Sequence, residues 1–210
     1  MLKTYVDYDF DFIWELQMRI TEIKLEQIAE VIIGINDARG KKSGEFTYRI
    51  VTPADLDDSN DFERLESVNL ETEVGDYNLV RRGDLLIKRV SPNFVTLVTG
   101  EVSNVVVSSN MLIIRCCQSV VPAFLAGFLE LRGLEALKHY TERGMIMHSV
   151  SKRELNEFMI PLPDMETQKL LGELWLLNKR KRDLLSRLSE RESDHIKSIF
   201  IKTLSEGRGR

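Results

Sequence analysis

The segment from Asp164 to about Leu204 constrains this chain most, because it contains no proline and its only glycine is Gly172. Such a segment predicts one helix of roughly 40 residues, about 60 Å long. Asp164 is suited to the N-cap position, where its side chain can accept a backbone hydrogen bond. We therefore expect a long helix from Asp164 onward, preceded by a separate globular part.

Leucines recur along this predicted helix at the spacing of a coiled-coil seam. Their spacings are 4, 3, 7 and 4, Lys181 stands where another apolar residue is expected, and two isoleucines continue the pattern loosely. The predicted pairing residues are Leu170, Leu174, Leu177, Leu184, Leu188, Ile196 and Ile199. A helix that points away from its own domain cannot bury such a stripe. It needs another helix, from a second copy or from a partner chain, and dimerisation is the simplest source.

Residues from about 23 to 163 alternate short apolar runs with turn signals. The runs are rich in Val, Ile and Thr, which favours strands. They are 28–35, 46–51, 77–80, 85–90, 94–98 and 105–116. The fold class we predict is α/β, with a strand-rich mixed-sheet domain over residues 1–163, of which 1–20 are unassigned. Residues 164–210 follow as the long helix with a short basic tail.

Helical signals appear near the end of this domain. Pro122 suits a first helical position, and the apolar residues after it recur at helical spacing until Gly133, where we expect a C-terminal stop. Leu134 and Leu137 suggest a second short helix. Ser151 with Glu154 forms a capping-box pattern that predicts a helical turn from Lys152, and the two prolines in residues 158–163 predict an extended segment.

The net charge of −4 averages unlike regions. Residues 1–78 carry 8 basic and 18 acidic side chains, whereas residues 79–163 and 164–210 each have a net charge of +3. Any surface for nucleic acid is therefore expected in the second half. No apolar run could cross a bilayer and no signal segment is evident, which predicts a soluble, cytoplasmic protein.

The chain has few residues suited to catalysis or metal binding. His139, His148 and His195 do not form the cysteine and histidine pairs of a zinc site, so a zinc site is not expected. Cys116 and Cys117 lie in an apolar stretch and are interpreted as small core residues. Because nucleophile elbows, glycine-rich phosphate loops and methyltransferase motifs are also lacking, we expect no catalytic residues and no cofactor.

Several motifs occur in an order that resembles a known family. They are Leu25 to Glu30 with Gly34, Arg82 to Leu86, Pro122 with Phe124 and Leu125, Leu155, and Ile160 to Pro163 followed by Met165, Glu166 and Gln168. Together they resemble half of the DNA-specificity subunit of type I restriction-modification enzymes, with one target-recognition domain and one conserved helix. Asp164 stands where that family often has another proline, and residues 1–20 match nothing in it.

The resemblance implies a non-catalytic subunit that reads double-stranded DNA. Two copies would pair their helices antiparallel, so that each copy reads one half of a bipartite site and the helix sets the spacer between the halves. The implied partners are methyltransferase subunits carrying S-adenosylmethionine and an endonuclease or translocase subunit. The alternative function, which the acidic first half favours, is an adaptor that oligomerises through its helix and binds protein instead of DNA.

Basic and amide side chains in three stretches are candidates for contact with phosphates or base edges. The predicted DNA-binding residues are Lys41, Lys42, Arg81, Arg82, Lys88, Arg89, Ser91, Asn93, Lys138 and Arg143. Each stretch also has an ordinary interpretation, as a plain turn near Gly40, a solvated hairpin near Gly83, or packing near Met145. The alternation of Tyr8, Phe10, Phe12 and Trp14 with aspartates favours a strand or a poorly ordered terminus over an acidic docking segment.

Overall fold

The computed structural model describes residues 20–36, 44–56, 61–90, 95–134 and 149–206, with side chains described to residue 203. Five predictions fall outside these ranges. They concern the aromatic and acidic N-terminus, the loop around Lys41 and Lys42, the pair Ser91 and Asn93, the second short helix around Leu137, and the basic stretch with Lys138 and Arg143.

The described strands form three sheets. Strands β1 (Thr21–Lys24), β2 (Ala29–Ile33), β3 (Phe46–Val51), β4 (Ser67–Leu70), β5 (Leu85–Lys88), β6 (Val95–Leu97), β7 (Val105–Val107), β8 (Met111–Cys116) and β9 (Met159–Leu162) follow in chain order. The largest sheet is antiparallel, in the order β2-β8-β5-β6, and β1 pairs with β9. In the third sheet, β4-β3-β7, β3 lies parallel to β7 and antiparallel to β4, so the mixed-sheet prediction is confirmed.

The described residues form three α-helices besides the sheets: α1 (Pro122–Phe128), α2 (Lys152–Glu157) and α3 (Met165–Glu206). Pro122 occupies the first turn of α1, and Ser151 forms the expected capping box with Glu154. The Asp164 carboxylate accepts a hydrogen bond from the Thr167 backbone N–H at 2.9 Å, which confirms it as the N-cap of α3. The helix has 42 residues, as the sequence pattern predicts.

Two larger apolar clusters lie on opposite faces of the four-stranded sheet. Leu85, Ile87, Leu112 and Ile114 face α1 and Trp175 of α3. Leu86 and Ile113 face the other way, toward the strand β7 and the segment around Leu65. Because neighbouring residues of a strand point to opposite faces, an uninterrupted apolar run such as 111–114 is what a strand covered on both faces requires. The body of the protein is therefore a sheet with α1 and the start of α3 on one side.

Four local predictions are wrong, and three of them concern the strand-rich region. Residues 77–80 are not a strand, because Asp76–Asn78 forms a 3-10 turn and Arg115 donates hydrogen bonds to the carbonyls of Tyr77 and Leu79, where a strand partner would donate. Residues 105–116 form two strands, β7 and β8, instead of one. Cys117 is exposed, although Cys116 is partly buried against the core as expected.

Gly133 does not end the helical region that follows Pro122. Leu129–Gly133 forms a π-helical turn, and the helical conformation continues into Leu134. A Cβ at Gly133 would lie 3.0 Å from Leu129 Cδ2 and 3.3 Å from Phe158 Cε1. The glycine therefore provides close packing, and the left-handed conformation of a helix stop does not occur there.

Candidate nucleic-acid interface and pairing face

The motif Arg82 to Leu86 forms a tight turn into β5. Gly83 has a φ of 89°, a conformation that glycine adopts without strain. Asp84 is 1% exposed and accepts a hydrogen bond from the Arg81 backbone N–H at 2.8 Å. The aspartate therefore fixes the turn from inside, and its role is structural.

Arg115 of β8 completes this turn, and sequence reasoning missed it. Its guanidinium makes two hydrogen bonds to the Asp84 carboxylate, at 2.9 and 2.7 Å. Hydrogen bonding to Asp84 raises the pKa of Arg115, so the ion pair stays charged. Only the pairing of β5 with β8 brings these residues together, so sequence spacing provided no signal for the pair.

Arg81 and Arg82 remain on the surface of the turn. The Arg81 guanidinium donates to the Asp76 carbonyl at 3.0 Å. The Arg82 guanidinium lies 3.3 Å from the Glu101 carboxylate, and their side chains are 67% and 87% exposed. Exposed pairs of this kind contribute little to stability, so Arg82 can exchange its partner for a phosphate.

Lys88 and Arg89 lie at the other end of β5, about 13 Å along the strand from the turn. The Arg89 guanidinium donates to the Ser109 carbonyl at 3.1 Å, and its backbone N–H donates to Asn110. The Arg89 carbonyl in turn accepts from the Val150 backbone N–H at 2.7 Å. Arg89 therefore joins three chain segments, while its Nε is buried with no acceptor among the described residues.

Three segments that adjoin the undescribed stretches meet at this second end of β5. Val90 precedes 91–94 and pairs with Ser149, which follows 135–148. Val95, which follows 91–94, pairs with Ile87. Ile35, shortly before 37–43, pairs with Ser108 in the turn that leads into β8. The structure thus places Arg81 and Arg82 at one end of β5 and Lys88 and Arg89 at the other. The described residues that flank the stretches with the remaining predicted DNA-binding residues lie at the end with Lys88 and Arg89.

One face of α3 docks on the domain, and it combines polar residues with a glycine and a tryptophan. Gln168, Gly172, Trp175 and Lys179 are its buried residues. A Cβ at Gly172 would lie 3.0 Å from Ala123 Cβ, and one at Gly127 would lie 2.9 Å from the Trp175 ring. The two glycines therefore allow α1 and α3 to approach closely.

Gln168 ties the first turn of α3 to the domain. Its side-chain oxygen accepts from the Val121 N–H at 2.9 Å, and its amide nitrogen donates to the Pro163 carbonyl at 3.0 Å. The residue is 2% exposed. Gln168 belongs to the proline-flanked motif at the start of the helix, and the structure shows that it links the start of α3 to the start of α1.

Lys179 fixes the same face two turns beyond Gly172. Its ammonium lies 2.9 Å from Glu130 Oε2 and 3.1 Å from the Val95 carbonyl, and 4.7 Å from the centre of the Trp175 ring. Arg182 also reaches Glu130, at 3.3 Å. The helix is therefore held to the edge strand β6 as well as to the turn after α1.

The predicted pairing residues lie on the opposite face of α3. At about 100° per residue, Leu170, Leu174 and Leu177 are about half a turn away from Gly172 and Trp175. All seven predicted pairing residues are at least half exposed, from 50% at Ile199 to 66% at Leu170. The described part of the domain does not cover them.

The described residues contain no group of three or more His, Cys, Asp and Glu placed to hold a metal ion. His195 is exposed on α3, whereas His139 and His148 lie outside the described ranges. Burial raises the pKa of the Cys116 thiol to about 12, which disfavours the nucleophilic thiolate. No helix in the described part of the chain is long and apolar enough to cross a membrane.

Comparison with known proteins identifies the fold. No protein-family model and no curated protein matches the sequence. Among solved structures, one chain from a study of assembly and conformational transition in a type I R-M system matches 86% of this chain with a TM-score of 0.60 and 16% identity. The HsdS subunit of Thermoanaerobacter tengcongensis matches 80% with a TM-score of 0.52 and 16% identity.

The type I S subunit of M. genitalium matches 81% of this chain with a TM-score of 0.52 and 13% identity. This chain spans only 43%, 39% and 42% of the three matched chains, in the same order. It therefore has the fold of part of an S subunit, including the α/β domain and the long helix.

Proposed function

We propose that this chain, whose fold is that of type I S subunits, is a non-catalytic DNA-specificity subunit that reads one half of a bipartite site. The single observation that carries the proposal is the combination of this fold with an unpaired apolar face on a rigidly docked helix. In this proposal the described domain reads one half-site, so a bipartite site needs a second recognition domain, and a second copy paired through α3 supplies it. The paired helices then dock methyltransferase and endonuclease subunits.

DNA contact is assigned to the second end of β5 and to the Arg81–Arg82 turn. Lys88 lies at that end, and described residues next to the other stretches pair there: Val90 before Ser91 and Asn93, Ser149 after the stretch with Lys138 and Arg143, and Ile35 before the stretch with Lys41 and Lys42. Phosphate contacts by the basic residues position the domain, and base-edge contacts by residues such as Asn93 specify the sequence. Arg89 has a structural role at the same end.

The direct test is selection from a random-sequence DNA pool by electrophoretic mobility, with and without a cognate methyltransferase. We expect an enriched site with two half-sites related by inversion, because a two-fold dimer presents two identical domains. If no sequence is enriched even with the methyltransferase, the specificity function is wrong. Stable binding to another protein without any DNA enrichment would instead support the adaptor function.

The contribution of the basic residues can be measured separately. Replacing Lys41, Lys42, Lys138 and Arg143 by alanine should weaken binding. It should also reduce the dependence of log K on log salt by about 0.9 for each phosphate that the variant no longer neutralises. Replacing Lys152 and Arg153, two basic residues of α2, provides the matched control. An unchanged salt dependence in the fourfold variant would remove these residues from the interface.

The spacer role of α3 is tested by shortening its free part. In a Lys181→Leu background, which avoids opposing two lysines at the centre of the shorter helix pair, deleting residues 184–194 removes eleven residues, about three turns and about 16 Å, and keeps the remaining helix faces in phase. The preferred gap between half-sites should shorten. A dimer that still selects the original gap would show that the helix does not set the distance.

A further inference from the structure

The exposed face of α3 carries a stripe of residues whose intervals are the same when counted from either end of the helix. Its positions follow at intervals of 4, 3, 4, 4, 3, 4, 4, 3 and 4 residues, and every one of them is exposed. They are Leu170, Leu174, Leu177, Lys181, Leu185, Leu188, Glu192, Ile196, Ile199 and Thr203. A repeat of eleven residues keeps such a stripe nearly straight on an α-helix, with a slight right-handed drift.

We infer that this stripe pairs with the same stripe of a second copy in one antiparallel register, with Leu185 opposite the partner's Leu188 at the centre. This inference rests on the proposed pairing of α3 and specifies its register. Moving outward, Lys181 faces the partner's Glu192, Leu177 faces the partner's Ile196, and Leu174 faces the partner's Ile199. Because two-fold symmetry repeats each contact, the interface has two Lys–Glu pairs and six further layers of apolar residues.

Charge excludes the neighbouring registers. A shift by eleven residues in one direction places Lys181 opposite the partner's Lys181, and a shift in the other direction places Glu192 opposite the partner's Glu192. Either shift also leaves part of the apolar stripe without an apolar partner. Polar residues at single core positions commonly select register in this way.

The same register brings an aromatic side chain of the partner to an apolar groove. The groove has a volume of about 500 Å³ and lies between α1, the π-helical turn and α3. Phe124, Phe128, Leu131, Leu171 and Leu174 supply its apolar lining, and Leu131 is 62% exposed. The groove therefore continues the pairing stripe onto the domain.

Phe200 is the residue that reaches this groove from the second copy. It is 65% exposed and lies 29 residues after Leu171, about eight full turns, so both residues lie on the same flank of α3. The two-fold axis of an antiparallel helix pair is perpendicular to the plane that contains both helices. The same flank of each helix therefore lies on the same side of the pair. In this register, the partner's Phe200 is level with residue 173, beside Leu171 and Leu174.

Cysteine cross-linking of the full chain tests the register. In a Cys117→Ser background, a mixture of Leu177→Cys and Ile196→Cys chains should form an intermolecular disulfide on mild oxidation, because these positions face each other. A mixture of Leu177→Cys with Leu188→Cys is the control and should not. The reverse result overturns the register while leaving the proposed pairing intact.

Charge reversal provides a second test. Lys181→Glu and Glu192→Lys should each raise the dimer dissociation constant about tenfold or more, since each places two like-charged pairs in the interface, and the double variant should restore it. Arg180→Glu, an exposed residue away from the stripe, should have little effect. Single and double variants with equal dissociation constants would overturn the Lys181–Glu192 contact.

The groove contact is tested with two adjacent residues of similar exposure. Phe200→Ala should raise the dimer dissociation constant several-fold, whereas Ile201→Ala, whose side chain lies on a different face, should not.

In a Trp14→Phe background, dimerisation should change the fluorescence of Trp175, which also lines the groove, and Phe200→Ala should abolish that change. Equal effects of the two variants, or protection of the groove only when methyltransferase is added, would overturn the assignment of Phe200. A chain that stays monomeric at high concentration overturns the register and the proposed pairing together.

Discussion

The two halves of α3 are both helical but differ in which side chains are buried. In residues 165–183, the buried positions include a glutamine, a glycine and a lysine, and each meets a specific group of the domain. In the far half, Leu188, Ile196 and Ile199 are at least half exposed. Apolar character alone therefore does not show which face of a helix is buried. The near half is fixed by shape and hydrogen bonds, and the far half offers apolar surface to another chain.

The sharpest test of this contrast compares two large apolar residues two positions apart. Trp175→Ala should lower the free energy of unfolding by about 3–5 kcal/mol, because it removes a buried ring that packs against Gly127. Leu177→Ala, with a side chain 65% exposed, should change it by no more than about 0.5 kcal/mol in the monomer. Urea unfolding at a concentration where the chain is monomeric measures both. Equal losses in the free energy of unfolding would show that both faces of α3 contribute alike to the stability of the monomer.

A somewhat smaller loss is expected at Lys179. Lys179→Ala removes an ammonium whose side chain is 9% exposed and leaves Arg182 as the one cation paired with Glu130 among the described residues. We expect a loss of about 3 kcal/mol in the free energy of unfolding, near the lower end for a broken buried pair. Lys181→Ala is the matched control and should be nearly neutral in the monomer. If thermal unfolding does not distinguish the two variants, Lys179 does not anchor the helix.

Gln168→Ala should cost about 1–3 kcal/mol, because it leaves the Val121 N–H without its acceptor. Lys169→Ala changes the neighbouring exposed residue and should have little effect on stability. Amide hydrogen exchange offers a specific readout, since the Val121 amide should lose protection in the glutamine variant alone. Retained protection would mean that another group satisfies this amide.

The smallest effect concerns the start of α3 in acid. Hydrogen bonds from the Thr167 backbone and side chain lower the pKa of Asp164. Since the folded-state pKa lies below the unfolded value, its contribution is full above the unfolded pKa and is lost as the pH falls through the folded pKa. Asp164→Asn keeps an N-cap acceptor without this titration. Its unfolding free energy should therefore depend less on pH in the acid range, and identical acid profiles would contradict the assignment.

Much of the fold could be predicted because its signals are local. Strand β3, the start of α1 at Pro122, the capping box at Ser151 and the N-cap of α3 at Asp164 all depend on neighbouring residues. The errors have non-local causes. Arg115 donates to the carbonyls of Tyr77 and Leu79 from another strand, and Gly133 packs against Phe158, which is distant in sequence.

For the candidate site, the sequence supplied candidate residue types and carried no signal for their arrangement. Arg81, Arg82, Lys88 and Arg89 are close along the chain, yet β5 places them at two ends of a strand, and Arg89 is hydrogen-bonded within the domain. Their chemistry was evident from the side chains. Their separation depends on strand geometry and on contacts with Ser109 and Val150 that no short window of sequence contains.

By itself the sequence determined that one long helix with an apolar stripe follows the sheet domain, because helix caps, the absence of proline in 164–204 and the periodic leucines act over a few residues. Only the tertiary structure decided which face of that helix belongs to its own domain. The decisive contacts, from Gln168 to Val121, Gly172 to Ala123 and Lys179 to Val95, join residues about 50 to 80 positions apart. Such contacts form only when the sheet, α1 and α3 have already packed together.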